Sequence, residues 1–144
     1  MKTLRVALLT ALAVGCHFDK LFNAAGGGQE PPGGGPPATH LVFATQPSRS
    51  SAGSTISPPV RVAALDAQGD TVTTFSGRVS IAIGQDGSVL GGAHLSGTTD
   101  VDLVNGIATF GDLSIDQPGV SSYTLEALNT PLSNVESATF AVGP

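Results

Sequence analysis

From Thr39 onward, apolar and polar residues alternate in short runs, and Gly, Pro, Asn and Asp cluster between the runs. Seven runs carry this period of two: 40–46, 59–66, 78–84, 98–104, 107–115, 121–129 and 135–142. No stretch keeps apolar residues at i, i+3, i+4 and i+7 long enough for a useful helix. The pattern predicts an all-β fold, and seven strands in about 100 residues fit a two-sheet sandwich.

The best-specified piece is the hairpin around Asn105-Gly106, because both central residues of a type I′ turn need φ > 0. Pairing outward from it sets Val104 against Ile107, Leu103 against Ala108, Asp102 against Thr109 and Val101 against Phe110. Val101, Leu103, Ala108 and Phe110 then share the core face, with Asp100, Asp102 and Thr109 on the other. Past Phe110 the parity breaks, so a bulge at Gly111-Asp112 is predicted to return Leu113 and Ile115 to the core. Val60, Val62 and Ala64 are expected inward with Arg61 outward. Val79, Ile81 and Ile83 are expected to form the most buried strand. Leu125 and Ala127 point in with Glu126 out, and Ala138, Phe140 and Val142 close the last strand. Pro47 can donate no ladder hydrogen bond, which puts the first strand at an edge. The Gly-rich stretch 84–97 reads as a floppy crossover.

Ahead of this region the pattern changes. Lys2 and Arg5 precede the nine-residue run 6–14, whose only polar member is Thr10. A membrane-spanning helix needs roughly 20 apolar residues, so the run has the length of a secretory signal instead. Leu12-Ala13-Val14-Gly15-Cys16 resembles the lipobox of bacterial lipoproteins, with Leu12 one step upstream of the usual Leu position. The resemblance implies a signal peptide over 1–15 and a diacylglyceryl thioether on Cys16, which becomes the mature N-terminus. Each buried CH₂ contributes about 0.8 kcal/mol, and two or more acyl chains anchor stably where one does not. In such lipoproteins an Asp after the Cys favours the inner membrane of Gram-negative cells. His17 at that place implies an outer-membrane address in such a cell. Residues 24–38, AAGGGQEPPGGGPPA, hold no side chain able to build a core, so 16–38 is read as a disordered tether. From 17 to 38 it would span about 25 Å as a flexible coil and about 70 Å as extended polyproline II. Phe18, Leu21 and Phe22 have the spacing of a single helical turn, too short to carry weight. The sandwich is assigned to 39–144.

Composition narrows the function. The 144 residues include only 12% charged side chains, against roughly 25% in an average soluble protein. Asp and Glu number 11 against 6 Lys and Arg, which argues against nucleic acid as a partner, since that role needs a basic face. One cysteine excludes an intramolecular disulfide, and the three scattered histidines supply little for a metal site.

The stretch Leu41-Val-Phe-Ala-Thr-Gln-Pro47, then Ala52-Gly53, Pro59-Val-Arg-Val62 and Asp66-Ala-Gln-Gly-Asp70, resembles the bacterial Ig-like domains of surface proteins. The likeness continues through Leu95-Ser-Gly-Thr98, Val104-Asn-Gly-Ile-Ala-Thr-Phe110, Asp112-Leu-Ser-Ile-Asp116 and Tyr123-Thr-Leu125. It implies a seven-stranded Greek-key sandwich that serves as a non-catalytic bead, here in a single copy. Asp116, Gly119 and Tyr123 resemble a tyrosine corner, in which the phenol bonds back to upstream backbone.

The candidate chemistry is thin. Asp100 and Asp102 share a strand face as an acid/base pair could, but like charges on an outward face also serve solvation and edge protection. Asp66, Asp70 and Asp116 are candidate Ca²⁺ ligands, yet three carboxylates are too few for a cation that takes six to eight oxygens, and turns use Asp for their own hydrogen bonds. His94 lies near Ser96, but no Gly-x-Ser-x-Gly elbow exists, and no Lys-Ser or Lys-Thr follows the glycine runs. No catalytic residue and no cofactor is implied. The expected role is structural or adhesive display at the cell envelope, with the membrane reached through Cys16 and a protein or glycan as partner. A glycan- or ligand-binding module is the alternative, with Phe75 as its only candidate loop aromatic. An accessory domain of an envelope enzyme complex is another. Strand addition beside Pro47 or at the last strand is a further hypothesis for partner binding.

Overall fold

The computed structural model describes residues 36–144, so the expected signal peptide, Cys16 and residues 16–35 of the expected tether lie outside the described residues. The described chain is all-β. Its strands are β1 (His40–Thr45), β2 (Ser50–Ser51), β3 (Val60–Leu65), β4 (Arg78–Ile83), β5 (Leu95–Ser96) and β6 (Asp100–Asp102). They continue with β7 (Ile107–Phe110), β8 (Ser114–Ile115), β9 (Gly119–Tyr123), β10 (Leu125–Leu128), β11 (Val135–Glu136) and β12 (Phe140–Gly143). One sheet has the order β1-β3-β7 and a second β11-β10-β4-β6. A third, β2-β12-β9, continues the second, because only Thr124 separates β9 from β10 and three residues separate β11 from β12. The two long segments run antiparallel side by side, Ala127 opposite Val135 and Tyr123 opposite Phe140, with a register shift between Phe140 and Val142. β5 and β8 make a small fourth sheet.

The side-chain alternation builds a single core between these sheets. Val60, Val62 and Ala64 of β3 are fully buried, as are Val79, Ala108, Ile115, Leu125 and Ala127. Tyr123, Phe110 and Ile56 are the largest side chains enclosed. Each buried aliphatic or aromatic side chain contributes about 2 kcal/mol, and with few aromatics the aliphatics supply most of it. Tyr123 closes one end of the core: its phenol donates to the Gln117 carbonyl at 2.9 Å, and its ring centroid lies 6.0 Å from that of Phe140.

Several expectations change on contact with tertiary structure. The chain forms twelve short strands among the described residues where the pattern predicts seven, because three of the long runs break in mid-course and two two-residue strands, β2 and β5, arise in stretches read as loops. The Asn105-Gly106 turn forms, with φ of 51° and 74° and reciprocal Val104–Ile107 backbone hydrogen bonds. Beyond that pair the hairpin opens. β6 joins β4, with Val101 opposite Val79, and β7 joins β3, with Ala108 opposite Val62. The turn therefore carries the chain from one sheet to the other. Leu103, Ala108 and Phe110 are buried, so the faces are as expected while the pairing is not. Opening the hairpin gives each half a longer partner strand to pair with, and both keep their apolar face on the core.

The bulge expected at Gly111-Asp112 is replaced by a break. β7 ends at Phe110, and the chain takes new partners, with Ile56 N–H donating to Leu113 O and Gly53 N–H to Ile115 O. Leu113 and Ile115 are buried by this route. The most buried strand is β3 rather than β4, since β3 is central in its sheet and Ile83 sits half-buried at the end of β4. Ala138 is exposed; the chain kinks between β11 and β12, and Ser137 takes the buried place, its Oγ accepting Leu125 N–H at 2.9 Å. β1 is an edge strand; in the last run β11 is also an edge strand, while β12 lies between β9 and β2, the latter paired at Val142 and Gly143.

Candidate functional site

The loops are built on aspartates. Asp66 Oδ1 accepts the N–H groups of Gln68 and Asp70, both at 2.9 Å, which closes the turn after β3. Asp112 holds Thr98 through its N–H and its hydroxyl, both at 2.8 Å, and Asp116 Oδ1 accepts His94 N–H at 2.7 Å. Asp86 gathers the N–H groups of Ser88, Gly92 and Ala93 at 2.9, 2.9 and 3.2 Å, so the loop that follows β4 is ordered around one carboxylate rather than floppy. Short side chains that accept local backbone N–H groups are what make Asp a turn residue.

These contacts set the acidities. The Asp86 carboxyl is held at about 2 by the Ser88 side chain and backbone and by the N–H groups of Ala93 and Gly92. The Ser88 Oγ makes no hydrogen bond in this conformation, so the backbone donors are the geometrically complete part of that stabilisation. Hydrogen bonds from Thr98 lower the Asp112 carboxyl. Arg78 lowers that of Asp102 through a hydrogen-bonded ion pair with N–O contacts of 2.9 and 3.3 Å. Burial pushes the Tyr123 phenol up.

The candidate residues are thereby placed. Asp100 and Asp102 lie outward on β6, but Asp102 faces Arg78 across the ladder and Asp100 accepts from the hydroxyls of Ser80 and Thr99. Asp66 and Asp70 share one turn, while Asp116 binds the loop at His94. Among the described residues no group of three or more His, Cys, Asp or Glu is gathered to hold a metal ion. Phe75 is half-buried and packs against the core instead of presenting its ring at a loop tip. Cys16 lies outside the described residues.

The surface of the described residues carries grooves, two of which bear on the site. One, of about 300 Å³, is apolar, with Val89, Val120, Ala141 and Val142 in its lining and Arg49 beside them. The other, of about 440 Å³, is lined by Thr45, Pro58, Pro59, Arg61 and Thr109. Thr45 and Thr109 are the register partners of Arg61 on either side, so the three form one row across β1, β3 and β7. Arg61 is readable from the alternation as an outward residue; the row is not, because it depends on which strands flank β3. β1 runs from His40, opposite Leu65, to Thr45, opposite Arg61. The groove therefore lies roughly 17 Å along the strand from the point where the chain enters the sandwich. The chain matches no protein-family model and no curated protein.

Proposed function

We propose that the chain is a cell-envelope lipoprotein displaying a non-catalytic, Ig-like domain for structural or adhesive contacts. The observation that carries this reading is the position of Cys16, the only cysteine, directly after an apolar run and ahead of a Gly/Pro-rich stretch that leads into a β-sandwich. The disposition of the carboxylates supports it, since Asp66, Asp86, Asp112 and Asp116 all accept hydrogen bonds from loop backbone. Acylated at Cys16, the domain would stand off a membrane by the span of its tether, outer-membrane-bound in a Gram-negative cell.

Intact mass and membrane fractionation, with wild type beside Cys16→Ala, test the reading. A mature chain beginning at Cys16 and carrying acyl mass, with membrane association lost in the variant, is the expected result. An unacylated chain cut elsewhere and free in the medium would overturn the anchor. A second reading, a glycan- or ligand-binding module, is favoured by the groove around Arg61, where an exposed guanidinium stands between two threonines.

A further inference from the structure

The Thr45–Arg61–Thr109 row depends on an irregularity in β1. Phe43 faces Val62 and Thr45 faces Arg61, so Ala44 is an extra residue in the strand. In regular alternation Thr45 would share the inward side of Phe43, and Ala44 would stand opposite Arg61. The bulge instead brings Thr45 beside Arg61, half-buried, while Phe43 stays in the core. Bulges recur next to functional sites because they re-aim a side chain in this way. Adjacent strands lie about 4.8 Å apart, so both threonine side chains rise beside the base of the arginine.

The chemistry of the row selects a ligand. The one ion pair among the described residues joins Arg78 to Asp102, and Arg61 is exposed at the groove. A guanidinium presents N–H donors in a planar fork that matches a carboxylate. A threonine hydroxyl both donates and accepts, which suits a ligand dense in hydroxyls. Pro58 and Pro59 add an apolar wall to this open groove, which leaves one face of a bound ring in water. Between residues 36 and 144 three arginines stand against nine carboxylates, so the field of the molecule repels an extended polyanion. A single carboxylate on a polyhydroxylated ring meets all these terms. The geometry points to a binding site for an acidic saccharide: its carboxylate on the Arg61 fork, ring hydroxyls on Thr45 and Thr109, and its C–H face on the prolines. This site rests on the ligand-binding reading above and is independent of the anchor at Cys16.

The test is an NMR titration of the isotope-labelled full chain in detergent with the methyl glycoside of galacturonate, a single ring with one carboxylate, following backbone amides and the Arg61 side-chain N–H. Saturable shifts at Thr45, Arg61 and Thr109 are expected, with a dissociation constant on the order of 1 mM, because one exposed charged contact is weak. Arg61→Ala should abolish them with the rest of the spectrum unchanged. Arg61→Lys should weaken binding about tenfold, because a point charge cannot engage a carboxylate as a fork. The methyl ester of the same sugar should leave the row unshifted. Unsaturable shifts in wild type, or undiminished binding in Arg61→Ala, would overturn the site. Equal affinity for inorganic phosphate, or tighter binding of a glutamate-bearing peptide, would overturn the saccharide assignment. Saturable shifts confined to Val89 and Val120 would keep the ligand-binding reading while removing this site, and fractionation of Cys16→Ala reads the anchor separately.

Discussion

At the scale of single residues, Tyr123 shows how one polar atom ties a loop to the core. Its ring is fully buried, and its hydroxyl reaches the Gln117 carbonyl six residues upstream. Tyr123→Phe keeps the ring and its packing on Phe140 but leaves that carbonyl without its donor. Water reaches the half-buried Gln117, so the loss should be about 1 kcal/mol, the net worth of one hydrogen bond. Thermal unfolding should then shift down by roughly 4–8 °C, as for a domain of about 100 residues. An unchanged midpoint would mean that the contact contributes nothing net. Arg78 and Asp102 are the contrasting case: both are largely exposed, so their bidentate pair serves mainly to place charge on the β6 edge, where it discourages pairing with another chain.

At the scale of elements, the Asn105-Gly106 turn is the junction on which the two sheets depend. Gly106 has φ of 74°, and a Cβ there would lie 2.5 Å from the Val72 carbonyl oxygen, which is backbone and cannot swing aside. Gly53 also has φ of 74°, but its Cβ would meet nothing within 4 Å. Gly53→Ala should therefore cost only the left-handed backbone penalty, about 1–2 kcal/mol, whereas Gly106→Ala adds a steric term and should cost about 2–4 kcal/mol. Urea denaturation of both variants isolates that term as their difference; equal losses would show that the turn yields freely.

The same element shows what was legible in the sequence. The turn, and the inward faces of Leu103, Ala108 and Phe110, follow from local rules, a dipeptide that favours φ > 0 and a period of two. Which strand each half joins is decided by β3 and β4, whose register partners lie 20 or more residues upstream, and no local pattern encodes that choice. The loop after β4 was illegible for a related reason. Its glycines read as slack, while the order comes from a single carboxylate, Asp86, that reaches as far as Ala93. The Arg61 row was half-legible: the outward arginine follows from alternation, but Thr45 joins it only through the extra residue in β1.

At the scale of the whole molecule, three aspartates, two in loops and one on β6, together set how the domain responds to acid. Asp86, Asp102 and Asp112 all have carboxyls lowered by hydrogen bonds or by Arg78, and Asp86 sits at about 2. A carboxyl that is more acidic when folded than when unfolded stabilises the fold above its unfolded value, about 3.9, and loses that contribution as the pH falls through the folded value. The domain should thus hold constant stability from neutrality to about pH 4. It should then weaken between about pH 4 and 2, as the unfolded chain takes up protons that the folded loops refuse. Asp86→Asn removes the ionisable group at the most shifted site but cannot present two carboxylate oxygens to the three N–H donors. That variant should be less stable at pH 7, with a shallower decline from pH 4 to 2. Its amides at Ser88, Gly92 and Ala93 should exchange faster at neutral pH, while those of β3 keep their protection, because the defect is confined to the loop. Chemical denaturation across this pH range, read with hydrogen exchange, checks both halves. A decline as steep as that of wild type would mean that the acid response belongs to Asp102 and Asp112, and exchange rates unchanged at Ser88, Gly92 and Ala93 would mean that the backbone turns hold the loop without the carboxylate.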